Sequence, residues 1–255
     1  MAHRLRTTTI AMVVIALGLV GGAYFAAESP EERAQVRVAN RAADRFDRAM
    51  DEFSRTSAQD IDSQLKASKT NYQALKTFVD ARIDEAPRLS SAGTTDYGRR
   101  HSDRYVLAKA RRDLVLTPFT TLTTYLREHA IPDQGFVDAG RKLVQINPAR
   151  ILANVAVFTG TPLRELVIPA FEKAKDRLKK QTPPEDSKLL DLDLMTYAGD
   201  AIKQTKQGAT KIDARQPFVF NFGTRPDDLL RRLVVIESAT SAEVRNDVDV
   251  LKLNK

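Results

Sequence analysis

Hydrophobic and polar positions divide this chain into one unbroken apolar run and a long series of helical periods. Residues Ile10 to Ala27 carry no charge over eighteen positions, with Arg4 and Arg6 before them and Glu28, Glu31 and Glu32 after. As a helix, this run extended by Thr7, Thr8 and Thr9 is about 31 Å long, close to the thickness of a bilayer's hydrocarbon core. The pattern predicts a transmembrane anchor over 7–27 and a short cytoplasmic tail over 1–6, because basic flanks stay on the cytoplasmic side. A cleaved signal peptide is the competing reading. Cleavage after Ala26 or Ala27 would put Tyr24 or Phe25 where a small residue is wanted, whereas cleavage after Ala23 is acceptable. Gly18 and Gly22 form a GxxxG pair that lets two such helices approach closely and so offers a route to oligomers.

The next period is a helix start. Ser29-Pro30-Glu31-Glu32 supplies a capping hydroxyl, a proline in the first turn and acids at the positive end of the helix dipole. From there to about Arg55, Val36, Val38, Ala39, Ala42, Ala43, Phe46, Ala49, Met50 and Phe53 fall within an arc of about 160°. Arg33, Arg37, Arg41, Arg45, Arg48 and Arg55 fall within about 120° on the other side. Asp44 and Asp51 each stand four residues before an arginine, the favourable order for helix ion pairs, which neutralises the distal half of the stripe and leaves Arg33, Arg37 and part of Arg41 with no acid at that spacing. Ile61, Leu65, Ser68, Tyr72, Leu75, Val79 and Ile83 then form a packing seam. A turn at Ser54–Ser57 would fold 28–86 into a membrane-proximal hairpin; without it the segment is a stalk. We favour the hairpin.

Residues 87–103 are rich in small polar side chains and read as a flexible loop, long enough to suggest a function. Residues 104–207 read as a helical bundle. Its first helix covers about 103–130, with Val106, Leu107, Ala110, Leu114, Phe119, Leu122, Tyr125 and Leu126 inward and a kink or break at Pro118. A second covers about 133–146. A third begins at Asn147-Pro148 and carries the apolar run Ile151–Phe158, a pattern for burial on most sides. A fourth runs from Thr161-Pro162 to about Gln181, and a fifth from Pro183-Pro184 to just before Gly208. Residues 208–255 form a mixed segment. Phe218–Phe222 has strand composition, with Leu233–Glu237 and Val248–Leu253 as pairing partners, although Thr224–Asp227 equally caps a helix over 226–238. No internal repeat stands out. The expected fold is mainly α: an N-terminal transmembrane helix, an extracytoplasmic helical bundle and, as an option, a small C-terminal β element.

Composition narrows the chemistry. The chain has no cysteine and a net charge of +7, spread without any run long enough for a nucleic-acid arm. Absence of cysteine excludes disulfides, thiolate metal sites and a cysteine nucleophile. The three histidines, His3, His101 and His129, have no partners at ligand spacing, and no nucleotide, hydrolase or zinc-protease motif occurs. The pairs Asp191/Asp193 and Asp227/Asp228 are the acid–base candidates, and each has a plain structural explanation. The chain therefore reads as non-enzymatic, with no cofactor, metal or nucleic acid.

Three sets of residues remain as candidates for binding. Arg33, Arg37 and Arg41 suit anionic lipid headgroups, since guanidinium forks match phosphate geometry. Arg99, Arg100, His101 and Arg104 form a docking loop. Ile151, Val155, Phe158 and Phe171 would line an apolar pocket. Lys173, Lys175, Arg177, Lys179 and Lys180 are assigned instead to the negative end of a helix dipole. The expected function is a single-pass, membrane-anchored domain outside the cytoplasm that binds an envelope protein or lipid partner. The alternative is a sensory bundle that encloses a small molecule or lipid.

Overall fold

The computed structural model describes residues 29–68 and 71–253. The apolar run over 10–27, with Gly18 and Gly22, lies outside the described residues. Among the described residues the chain is mainly helical and has no strand, and no helix is long and apolar enough to cross a membrane. The helices are α1 (Pro30–Ser68), α2 (Tyr72–Glu85), α3 (Asp96–Arg100), α4 (Asp103–Tyr125), α5 (Ile131–Val144), α6 (Pro148–Ile151), α7 (Ile168–Lys179), α8 (Lys188–Asp213) and α9 (Arg225–Leu253). They belong to two compact units. Among the described residues, one comprises 29–47 together with 89–110; the other comprises 48–68, 71–88 and 111–253.

The turn favoured at Ser54–Ser57 does not occur. Helix α1 continues to Ser68 because Ser54 and Ser57 are buried on its inner face rather than placed at a cap. Thr56 returns its hydroxyl to the Glu52 carbonyl at 2.9 Å, a bond that leaves the helix intact. The chain reverses later, and Asn71 caps α2 by accepting from the Ala74 N–H at 3.0 Å. The predicted seam is thereby divided between two helices. Ala58 and Ile61 of α1 and Tyr72, Leu75 and Val79 of α2 share one core with Phe119, Leu122 and Leu126.

Pro118 does not break α4. The threonines beside it turn their hydroxyls back onto the helix: Thr117 to the Asp113 carbonyl at 2.7 Å and Thr121 to that of Thr117 at 3.0 Å. Phe119, Leu122 and Leu126 are buried as expected, and the buried face differs only before Phe119. Tyr105, Ala108, Leu116, Phe119 and Leu122 face inward, while Val106, Leu107 and Leu114 are more than half exposed.

A short repeat does exist. Leu126-Arg-Glu-His-Ala-Ile-Pro132 returns as Leu163-Arg-Glu-Leu-Val-Ile-Pro169, and both copies form a five-residue π-helical turn leading into an α-helix. Proline explains the shape. In a regular α-helix the rings of Pro132 and Pro169 would collide with the carbonyl four residues back. Widening the turn lets the preceding Ile131 and Ile168 N–H groups reach five residues back, to Leu126 and Leu163. The first and fifth positions of each copy are buried, and the arginine and glutamate between them face solvent.

Among the described residues the C-terminal segment contains no β element. Phe218–Phe222 is extended, but its backbone partner is a side chain rather than a strand. The Gln204 amide donates to the Asn221 carbonyl and accepts from its N–H, both at 2.9 Å. Leu233–Glu237 and Val248–Leu253 lie within α9, whose inward residues Leu229, Leu233, Thr240, Val244, Val248 and Leu251 keep helical spacing over its whole length. Helices α5, α7, α8 and α9 share the second core. Phe171, Tyr197 and Phe222 meet there edge to face, with ring centroids 5.8–6.5 Å apart.

Candidate functional site

The first turn of α1 closes on a reciprocal cap. Ser29 N–H donates to Glu32 at 2.7 Å, and Glu32 N–H donates to the Ser29 hydroxyl at 3.2 Å. The two Ser29 bonds hold the Glu32 carboxyl below its ordinary range, so it stays charged at the positive end of the helix. Arg33, Arg37 and Arg41 then project one turn apart, all exposed. Asp44 accepts from Arg104 at 2.8 Å, and in the other unit Asp51 accepts from Arg111 at 2.5 Å.

Residues 87–103 contain the short helix α3, and Thr95 and Ser102 bond this segment to α1. Thr95 caps α3 by accepting from the Gly98 N–H at 3.1 Å and donates to Gln35 at 2.6 Å. Gly98 packs so closely that a Cβ there would lie 2.5 Å from the Gln35 carbonyl oxygen. Ser102 accepts from the Tyr105 N–H at 3.0 Å and donates to Asn40 at 2.6 Å. Gln35, Asn40 and Asp44 thus meet Thr95, Ser102 and Arg104 in order, so the two segments run in the same direction.

Each of the four residues assigned to the docking loop has a local partner. Arg99 reaches Thr94 and Asp96, and Arg100 reaches Asp96 at 2.7 Å. Together they hold the Asp96 carboxyl below its ordinary range. His101 stacks on Tyr97 with centroids 4.0 Å apart, and Arg104 is bound to Asp44. For Thr95 and Ser102 the sequence carries a signal, since Thr95-Asp96 and Ser102-Asp103 are both helix-cap pairs; for Gln35 and Asn40 it carries none.

Ile151, Val155, Phe158 and Phe171 do not enclose a common apolar space. Helix α6 ends at Ile151, the chain then turns irregularly, and Phe158 is 88 % exposed. Phe171 is wholly buried in the aromatic cluster instead. The run that suggested burial lacks a polar face to orient a helix, and Asn154 and Thr159–Gly160 favour turns over helix.

One small internal space, of about 10 Å³, lies among Tyr72, Asp133, Val137, Glu237 and Thr240. Thr240 donates to Asp133 at 3.0 Å. The Tyr72 hydroxyl has no partner in hydrogen-bond geometry, although Ser241 stands on the same flank. Burial pushes the Asp133 carboxyl up, against the Thr240 bond and nearby His129. A raised carboxyl favours the folded state while protonated, and this contribution is lost as pH rises from the unfolded value through the folded one. Asp133→Asn is therefore expected to stabilise the protein at neutral pH relative to the parent, and the gap should narrow as pH is lowered toward 4. Urea titrations at several pH values measure it. A gap that stays constant with pH would exclude the linkage.

Among the described residues no group of histidine, aspartate and glutamate is placed to hold a metal ion. No family model matches the chain, and neither a curated protein nor a solved structure matches it.

Proposed function

We propose that this protein is a membrane-tethered helical interaction domain. The apolar run over 10–27 would anchor it with the bulk of the chain outside the cytoplasm. The first helix would lie against anionic headgroups, and the helical body would dock an envelope protein. The observation that carries this reading is the exposed row Arg33, Arg37 and Arg41, which begins within one turn of a capped helix start directly after the apolar run. Guanidinium groups so close to a bilayer meet phosphate oxygens at little cost in chain order, since the helix already spaces them.

The absence of cysteine makes a direct test simple. Full-length chain carrying Val38→Cys is labelled with a fluorophore and reconstituted into vesicles containing a headgroup quencher. Quenching is expected to rise when anionic phospholipid replaces zwitterionic lipid, and to fall back in Arg33→Glu/Arg37→Glu/Arg41→Glu. Equal quenching in both lipids would refute the headgroup contact.

A further inference from the structure

Helices α7 and α8 leave an open groove of about 700 Å³ between them. Lys175 and Lys179 come from α7, Lys203 and Lys206 from α8, and Glu172 and Asp176 sit on the α7 side. The dipole explanation covers the lysines at the end of α7. It does not cover Lys203 and Lys206, which lie in the interior of α8, more than a turn before its last turn at Lys211. Among the described residues Lys175, Lys203 and Lys206 form no ion pair, and Lys179 has only Asp176 at 3.6 Å. Folding has thus brought like charges together across a groove where mutual repulsion opposes them. The floor is open as well, because a Cβ on Gly199 would meet nothing within 4 Å.

We infer that this groove is the docking site for an acidic segment of a partner protein, an inference that rests on the interaction-domain reading. Lysines are compact point charges that meet carboxylate or phosphate oxygens one at a time, so the choice of a peptide rests on the two acids in the groove. Glu172 and Asp176 repel any polyanion, but a peptide also brings N–H groups from which they can accept, which a polyphosphate lacks. From Gly199 to Gln207 the α8 wall is about 12 Å long, which matches about four residues of extended chain. The groove also shares Lys203 and Gln207 with a neighbouring hollow of about 360 Å³ that contains Arg225. Arg225 is itself bound to Asp200 at 2.7 Å there, so the lysines of the groove carry the docking.

The test uses full-length protein in detergent micelles and a synthetic oligoglutamate peptide, with binding read by fluorescence anisotropy. Lys203→Glu/Lys206→Glu is compared with Lys142→Glu/Lys188→Glu, which changes net charge equally at exposed sites outside the groove. The groove variant should bind about tenfold more weakly, and the other variant within about twofold of the parent. Lys203→Gln/Lys206→Gln, which adds no new repulsion, should fall between them. Equal loss in both glutamate variants, or no binding by the parent, would overturn the proposal. So would inorganic polyphosphate binding more tightly than the peptide with the same dependence on Lys203 and Lys206. None of these lysines belongs to the arginine row, so failure here leaves the vesicle experiment to be judged separately.

Discussion

Phe171→Ala lowers the stability of the α5, α7, α8 and α9 core by about 4 kcal/mol. The residue is wholly buried, and its ring meets Tyr197 at 6.5 Å and Phe222 at 6.1 Å. Truncation removes the transfer free energy of a benzyl group and leaves a cavity that rigid neighbours fill poorly. Tyr197 is held by the Arg225 guanidinium 5.9 Å from its ring centroid, and Phe222 by the Gln204–Asn221 bonds, so neither moves freely into the space. Phe158→Ala is the matched comparison. At 88 % exposure it should change stability by no more than about 0.5 kcal/mol. Urea unfolding followed by far-ultraviolet circular dichroism measures both. A loss below about 1 kcal/mol for Phe171→Ala would mean the aromatic cluster is not close-packed.

The second large effect comes from a single methyl group. Gly160→Ala should cost about 3 kcal/mol. A Cβ at this position would lie 2.8 Å from the Ala209 Cα and carbonyl carbon, and nearer still to the carbonyl oxygen. These are backbone atoms within α8 and cannot rotate aside. The segment cannot retreat either, since Gly160 N–H donates to Asp213 at 2.7 Å and Arg164 binds the same carboxylate at 2.5 Å. Those two bonds hold the Asp213 carboxyl below its ordinary range. Gly199→Ala, in the interior of α8 with open space around it, should instead stabilise by up to about 1 kcal/mol through helix propensity. Thermal melts of the two variants should therefore shift in opposite directions, and a shift in the same direction would contradict this account of the packing.

Much of the helical architecture is legible in the sequence, and the misreadings have specific causes. The start of α1 at Ser29 was visible because hydroxyl, proline and acids agree locally. The absence of a turn at Ser54–Ser57 was not, because serine caps helices and also tolerates their interior, and tertiary burial decides between the two. Parts of helix α9 read locally as strands because Val234, Val235, Val248 and Val250 have β-branched side chains. The longer period from Leu229 to Leu251, which packs against α5, outweighs that local preference. The π turns needed comparison of two distant segments, each too short to attract notice alone. The arginine row follows from helical spacing. The ordering of residues 87–103 depends on Gln35 and Asn40, some sixty positions away, and no local pattern announces such partners. The lysine groove is of the same kind: Lys175 and Lys203 become neighbours only when α7 and α8 pack.

The claim on which the functional account depends is that the body stands outside the cytoplasm on a single apolar tether. Adding protease to intact cells stripped of their outer layers tests it directly, with the body followed by an antibody to its C-terminus. The account predicts that the C-terminal epitope is lost before any lysis, while a cytoplasmic marker survives. An epitope that resists the protease until the cells are broken open, and is then lost at once, would contradict it.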